Sequence, residues 1–186
     1  MTPFPDKKYQ IIYADPPWKY KQGKSMGTGF RGAASAHYSC MDYLDICKLA
    51  VNKIADDRCI LFMWVTFPFL KEGLSVIESW GFDYKTLGFI WVKINPIQLT
   101  PLFGVGYYVK SNTEPCLMAT KGDAHKLVIN NSVSSVIVAP KTKHSQKPPE
   151  AKERILKLCG DLPRIELFAR QKTEGWDVWG DSENLK

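Results

Sequence analysis

The sequence predicts an α/β fold in which a mostly parallel sheet carries helices on both faces. Apolar runs of strand length at 9–14, 59–65 and 84–92 alternate with stretches of helical periodicity, a pattern typical of a doubly wound sheet. The chain has 186 residues and 45% hydrophobic content, enough for one domain over residues 1–186 with a substantial core. We therefore expect a single α/β domain.

The first strand is the element around which the chain is organised. Residues 9–14 are apolar or aromatic and rich in strand formers, and the prolines at 16 and 17 forbid its continuation. The strand should therefore stop at Asp15, with a rigid double-proline turn and the indole of Trp18 beyond it. Open α/β sheets bind ligands at the carboxyl ends of their strands, so this position predicts a site.

Further elements follow in alternation. Two amphipathic stretches predict helices before residue 82. The apolar face of the first is Leu44, Cys47, Val51 and Ile54; that of the second, which opens after Thr66 and ends at Gly81, is Leu70, Leu74 and Ile77. The runs 114–120, 133–139 and 164–168 predict three more strands. A last helix is expected over 149–159, with Ala151, Ile155 and Leu158 inward and Lys152, Glu153, Arg154 and Lys157 outward.

Charge and cysteine content limit the class of protein. Lys and Arg outnumber Asp and Glu by 25 to 19, and the net charge of +6 suits a polyanionic partner; a merely soluble basic protein is the alternative. The five cysteines form no Cys-x-x-Cys pair, so we expect core fillers, with no disulfide framework and no metal site. The start lacks a signal-peptide core and no apolar run reaches transmembrane length, so a cytoplasmic protein without membrane contact is expected.

Two long segments combine basic residues with glycine or aromatic residues. The segment 19–32 holds four glycines and no amphipathic period, and we expect Lys24 and Arg31 there to reach phosphates, unless their charges are simply solvated. The segment 93–112 includes Tyr107 and Lys110 and leads to Glu114, a mixture that suits nucleic acid. The alternative is that its tyrosines are core residues at a strand start.

The chemistry that suits Asp-Pro-Pro-Trp is methylation of an amino group on a nucleobase. The exocyclic amine of adenine is a poor nucleophile, and the Asp15 carboxylate and the Pro16 carbonyl would both accept its hydrogens and favour the reacting geometry. Proline suits this role because its fixed φ and missing N–H leave a rigid acceptor. Trp18 would stack on the base, worth roughly 1–3 kcal/mol. The alternative is an ordinary Asp-Pro turn at a strand end.

Three motifs resemble those of one family. Asp15 to Trp18 resembles motif IV of amino-methyltransferases, in the form typical of the MT-A70 adenine N6-methyltransferases. Residues 144–148, His-Ser-Gln-Lys-Pro, and 165–170, Ile-Glu-Leu-Phe-Ala-Arg, resemble that family's His-Ser-x-Lys-Pro and Ile-Glu-Leu-Phe-x-Arg signatures. The resemblance runs from about Tyr9 to Asp181 in the family's own order.

This resemblance implies a Rossmann-like fold that uses S-adenosylmethionine to methylate the N6 amine of adenine. DNA is the preferred substrate, because the chain is too small to carry the accessory RNA-binding domains of eukaryotic relatives. The alternatives are RNA methylation and a catalytically inactive nucleic-acid-binding subunit. Whether the protein is a monomer or a homodimer stays open.

The resemblance and the motifs together assign roles to individual residues. The catalytic set is Asp15, Pro16, Pro17 and Trp18. The cofactor set is Asp15, Lys147, Glu166, Phe168, Arg170 and Asp181, with Lys147 able to pair with the cofactor's carboxylate. The substrate set is Trp18, Lys24, Arg31, Tyr107, Lys110 and Glu114. One departure concerns Asp181, a carboxylate where the family usually has the asparagine of Gly-Asn-Glu or Gly-Asn-Gln.

Overall fold

The computed structural model describes residues 3–19, 40–102, 108–141 and 146–180. Within these ranges the strands are β1 (Tyr9–Ala14), β2 (Ala55–Trp64), β3 (Asp83–Ile94), β4 (Thr113–Lys121), β5 (Val136–Pro140), β6 (Arg164–Ala169) and β7 (Asp177–Gly180). The α-helices are α1 (Tyr43–Cys47), α2 (Leu70–Ser79) and α3 (Glu150–Cys159). Short 3-10 turns lie at Val51–Lys53, Phe67–Phe69 and Ala124–Leu127.

The strands form one mixed sheet in the order β5-β3-β4-β2-β1-β6-β7. All neighbouring strands are parallel except at β4, which runs antiparallel to both β2 and β3. The predicted α/β class is therefore confirmed. The step from β1 to β2 and the step from β6 to β7 run in opposite directions along the sheet. The crevice between β1 and β6 is therefore a topological switch point, the kind of position at which open α/β sheets bind ligands.

Both faces of the sheet are covered, which explains the continuous apolar runs. On β1, Ile12 and Ala14 belong to the core beneath α1 and α2, whereas Ile11 and Tyr13 belong to the core beneath α3. Buried residues of β2 divide in the same alternating way between the two cores. β1, the strand that Asp15 follows, is thus fixed by packing on both faces.

The first predicted helix is wrong in length and in the burial of Leu44, although Val51 and Ile54 are buried and Cys47 packs against the core as predicted. It is instead the five-residue α1 followed by a separate 3-10 turn at Val51–Lys53. Ile46 is its buried residue, while Leu44 is 53% exposed. The Ile46 carbonyl accepts a hydrogen bond from the buried Trp80 indole at 2.9 Å, a tertiary contact at the end of α1 that periodicity does not reveal.

Other differences are smaller. In α2, Ile77 is buried and Leu74 packs against the core, but Leu70 is exposed because it opens the helix. Gly81 follows the end of α2 with φ +80°, as a C-terminal glycine does. Cys59, Cys116 and Cys159 are buried core residues, whereas Cys40 and Cys47 are partly exposed. β7 and the 3-10 turn at Ala124–Leu127 have no counterpart among the predicted elements.

No helix in the described ranges combines the length and the apolar character needed to cross a membrane.

Candidate active site

A cavity of about 290 Å³ opens at the carboxyl ends of β1 and β6. Five of the six residues predicted to bind a cofactor line it, namely Asp15, Lys147, Glu166, Phe168 and Arg170. The sixth, Asp181, lies outside the described residues. Three stretches that are far apart in sequence, at the end of β1, before α3 and at the end of β6, therefore meet in one place.

A chain of buried ion pairs runs from Asp15 into the sheet. Lys147 Nζ lies 2.8 Å from Asp15 Oδ1 and 2.8 Å from Glu114 Oε1. The other oxygen of Glu114, Oε2, is 2.8 Å from Lys93 Nζ. None of the four side chains is more than 19% exposed. Asp15 and Glu114 thus share Lys147, and Glu114 also pairs with Lys93.

Burial sets the proton affinities along this chain. Burial raises the pKa of Asp15 and Glu114 adds to the rise, against the opposing charges of Lys147 and Arg170. Burial would also raise the pKa of Glu114, but Lys147 and Lys93 outweigh it and the pKa ends below its usual value. Burial lowers the pKa of Lys147, yet the two carboxylates hold it above its usual range. Burial thus works against the ionised form of Asp15, whereas Lys147 and Lys93 favour the ionised form of Glu114.

Aromatic rings form the floor beneath these charges. Lys147 Nζ lies 5.6 Å from the centre of the Trp64 ring, at cation–π distance. Trp64 Nε1 donates a 2.7 Å hydrogen bond to the buried Tyr13 hydroxyl. Tyr13 in turn contacts Trp176 edge to face, with ring centres 5.9 Å apart. The polar groups of the site therefore rest on a layer of aromatic rings, whose low polarity strengthens their mutual interactions.

The opposite wall of the cavity carries a second ion pair. Lys152 Nζ lies 2.5 Å from Glu166 Oε2 and donates a 2.7 Å hydrogen bond to Thr173 Oγ1. Burial raises the pKa of Glu166, and the neighbouring Lys152 acts against the rise. The prediction that Lys152 faces outward from its helix is wrong, because the first turn of α3 lies over the cavity rather than at the surface.

Phe168 reaches the cavity from an irregular backbone. Its φ of 60° is in the left-handed region, and the pairing of β6 with β7 shifts register between Leu167 and Ala169. Its ring packs edge to face on Trp179, with centres 5.6 Å apart. Bulges of this kind re-aim side chains beside functional sites, and a strained residue at such a site is a reason to suspect a role.

The Asp-Pro-Pro-Trp turn differs in detail from its prediction. The Pro16 carbonyl accepts a 3.0 Å hydrogen bond from the Trp18 N–H, which leaves one lone pair for a substrate amine. The Pro17 carbonyl is bonded to the Met41 N–H at 2.8 Å. Trp18 is buried and stacks on Phe69, with ring centres 5.5 Å apart, so one face of its indole is already covered.

The predicted substrate residues are distributed unevenly. Glu114 lies within the ion chain at Asp15, and Lys110 is exposed and does not line the cavity. Lys24, Arg31 and Tyr107 lie outside the described residues. The structure adds Lys93, Lys152 and Thr173, whose roles sequence reasoning missed. The pairing of Trp91 with Glu114 across β3 and β4 places Lys93 near Glu114, and only the strand register could have revealed it.

A Rossmann-like sheet with a cavity at the carboxyl ends of two adjacent parallel strands, lined by Asp15 and Glu166, is consistent with the class of α/β methyltransferases. The comparisons then identify the family. The MT-A70 family model matches residues 9–182, nearly the whole chain. The chain belongs to the MT-A70 family.

Three relatives show how the similarity is distributed. The type II methyltransferase M.MunI of Mycoplasma sp is 38% identical over 191 residues, which cover 95% of this chain and 78% of the relative. The N(6)-adenosine-methyltransferase MT-A70-like of Arabidopsis thaliana is 28% identical, over 95% of this chain and 24% of the relative. The N(6)-adenosine-methyltransferase catalytic subunit METTL3 of Homo sapiens is 29% identical, over 88% of this chain and 26% of the relative. The chain thus spans about a quarter of the length of the two adenosine methyltransferases.

Proposed function

We propose that this protein transfers a methyl group from S-adenosylmethionine to the N6 amine of adenine in DNA. The observation that carries the proposal is the position of Asp15, which lines the cavity between β1 and β6 and begins the Asp-Pro-Pro-Trp turn. A methyl donor bound in the cavity and an adenine amine held beside the turn would meet at the Asp15 carboxylate. Similarity to a type II methyltransferase over most of both chains favours DNA as the substrate.

The residues of the cavity suit S-adenosylmethionine. Lys147 and Asp15 present opposite charges for an amino-acid moiety, Glu166 offers a carboxylate for ribose hydroxyls, and Phe168 offers an aromatic surface. When bound, the cofactor supplies an electrophilic methyl group on a sulfonium centre. The Lys147 ammonium already lies between the carboxylates of Asp15 and Glu114, so it can bind the cofactor carboxylate as a third partner without losing both of them. Lys147 is therefore suited to accepting the cofactor carboxylate while Glu114 retains it.

The turn performs the second task, orienting the amine. Asp15 accepts one N–H of the amine, and the remaining lone pair of the Pro16 carbonyl accepts the other. Both acceptors are held rigidly, Asp15 by Lys147 and the turn by the bonds to Met41 and Trp18. The amine nitrogen is then free to attack in line, and the proton leaves to water after transfer.

Mass spectrometry of nucleosides tests this function. The protein is incubated with isotope-labelled S-adenosylmethionine and, in separate arms, with unmethylated double-stranded DNA, single-stranded DNA and RNA. We expect labelled N6-methyladenine in a DNA arm. Label in RNA alone would replace DNA by the RNA alternative, which the adenosine methyltransferase relatives support. Absence of label from all arms would refute the proposed activity.

A third possibility is a nucleic-acid-binding subunit that does not bind the cofactor, since Asp181 stands in place of an amide. Isothermal titration with S-adenosylmethionine separates it from an enzyme. An enzyme is expected to release or absorb heat with a defined stoichiometry, whereas an inert subunit gives no binding signal.

A further inference from the structure

Lys152 lies in the cavity wall but has no part in the methyl transfer described above. Its ammonium contacts Glu166 Oε2 at 2.5 Å and Thr173 Oγ1 at 2.7 Å. The centres of the Tyr13 and Trp176 rings lie 5.7 and 5.5 Å away. A lysine on α3 is thus held by groups from β1, from β6 and from the segment between β6 and β7.

We propose that Lys152 is a positioning residue that keeps the Glu166 carboxylate ionised and turned into the cavity as a hydrogen-bond acceptor for the ribose hydroxyls of the cofactor. The inference rests on the proposed function, because it concerns the same bound molecule. It adds to the site a residue that acts through Glu166 and does not itself touch the cofactor.

The geometry leaves Glu166 able to bind a ligand while it is held. The ion pair uses Oε2, and within the described part of the chain Oε1 has no hydrogen-bond donor. An oxygen without a protein donor, on a carboxylate that lines the cavity, is available to a ligand hydroxyl. A carboxylate accepts at both oxygens only when it is ionised.

Lys152 is needed because the surroundings of Glu166 favour protonation. The Glu166 and Lys152 side chains are only 16% and 17% exposed, so water screens them little. Asp15, from the end of β1, raises the pKa of Glu166 beyond the effect of burial. Lys152 is the cation that opposes these effects. Without it, Glu166 would take up a proton more readily and would lose an acceptor site.

Cofactor titrations of matched variants test the assignment. Lys152→Met removes the charge but keeps an apolar chain of similar length, Lys152→Arg keeps the charge, and Lys157→Met changes an exposed lysine of the same helix. We expect about tenfold weaker binding of S-adenosylmethionine in Lys152→Met, the factor that follows from weakening one charge-assisted hydrogen bond. Lys152→Arg should stay within about threefold of the parent and Lys157→Met should match it.

Two further readouts separate positioning from a merely structural role. On acidification, Lys152→Met should lose affinity at a higher pH than the parent, because the pKa of Glu166 rises without its cation. A 2′,3′-dideoxy analogue of S-adenosylhomocysteine should bind the parent about tenfold more weakly than S-adenosylhomocysteine itself. In Lys152→Met this difference should shrink to about twofold or less.

The outcomes are distinguishable. A parent that shows no binding refutes the proposed function and, with it, the role of Lys152. A parent that binds, with a folded Lys152→Met that keeps the same affinity, acid midpoint and penalty for the dideoxy analogue, overturns only the present inference. If Lys152→Met does not fold, Lys152→Gln and Thr173→Val replace it, and unchanged values in both folded variants overturn the inference equally.

Discussion

The two carboxylates of the cavity differ in how their charge is balanced. Asp15 shares Lys147 with Glu114, whereas Glu166 has Lys152 as a dedicated partner. Burial raises the pKa of both acids, so both depend on their lysines. A shared counterion can move between partners as ligands arrive, while a dedicated one holds a fixed geometry. We therefore propose that the β1 side of the cavity serves the reacting groups and that the β6 side serves cofactor binding in a constant geometry.

The largest expected effect comes from removing Asp15 itself. Asp15→Ala should reduce methyl transfer by about a thousandfold or more, because the amine loses its main acceptor. The fold should persist, since Lys147 keeps Glu114 as a partner. Transfer rates from nucleoside mass spectrometry and thermal unfolding check both statements. Asp83→Asn, at an exposed aspartate of β3, is the control, and undiminished transfer in Asp15→Ala would contradict the assigned role.

Removing the shared lysine should cost more stability than removing the dedicated one. Lys147→Met leaves two buried carboxylates without their common cation, and we expect a loss of about 3–5 kcal/mol in the free energy of unfolding at neutral pH. Lys152→Met leaves only one such carboxylate and should lose less. Denaturant titration at neutral pH measures the free energy of unfolding of both variants. Equal losses would contradict the distinction between a shared and a dedicated lysine.

The pH dependence of Lys147→Met has a defined sign. Asp15 loses its lysine in this variant while Glu114 keeps Lys93, so burial raises the folded-state pKa of Asp15 further above its unfolded-state value and the folded state binds more protons. The destabilising effect of the Asp15 charge is thus full above its folded-state pKa and fades as the pH falls through that pKa. The difference from the parent should therefore narrow on acidification, and a constant difference between neutral and acidic pH would contradict this account.

Lys93 offers a smaller and more specific test of the β1 side. Lys93→Met leaves Oε2 of Glu114 without its cation, so Glu114 competes more strongly with Asp15 for Lys147. We expect methyl transfer to fall by about three- to tenfold, with a stability loss of about 1–2 kcal/mol. Lys85→Met, at an exposed lysine of the same strand, is the matched control. Equal activities of the two variants would show that Lys93 has no influence on Asp15.

The smallest expected effect is a shift in the acid midpoint of the pH–rate profile for methyl transfer. The role of Asp15 requires its ionised form, and its pKa is raised by burial, so activity should fall on acidification at a higher pH than the value of about 3.9 for an exposed aspartate. Glu114→Gln removes the negative charge that adds to this rise and leaves Lys147 to Asp15 alone. The midpoint of the pH–rate profile should then move downward, opposite to the shift expected for cofactor binding in Lys152→Met. An upward shift in Glu114→Gln would contradict the shared-lysine arrangement.

Local sequence was enough to predict the centre of the fold. The first strand has the predicted bounds, because two prolines end it and alternating burial on two cores requires an apolar run. The motifs also brought together Asp15, Lys147, Glu166, Phe168 and Arg170, which line one cavity. The strand bounds were predictable because strand ends and breakers are local properties of the chain, whereas the set of cofactor residues followed from the resemblance of the motifs to those of a family.

Features set by distant contacts were not predictable in the same way. An apolar run does not reveal strand direction, so the antiparallel course of β4 and the Lys93–Glu114 pair that follows from it stayed hidden. Helical periodicity assigned Lys152 to the outer face of its helix, yet it does not say that the first turn lies over a cavity. In the same way, the contact of Ile46 with Trp80 determines the buried face of α1.

The most direct test of the central claim is a crystal structure of the protein with S-adenosylhomocysteine. We expect the ligand in the cavity between β1 and β6, with its amino-acid end at Asp15 and Lys147 and its ribose hydroxyls at Glu166. Ligand density at another place on the protein, with this cavity empty, would contradict the claim that donor and acceptor meet at Asp15.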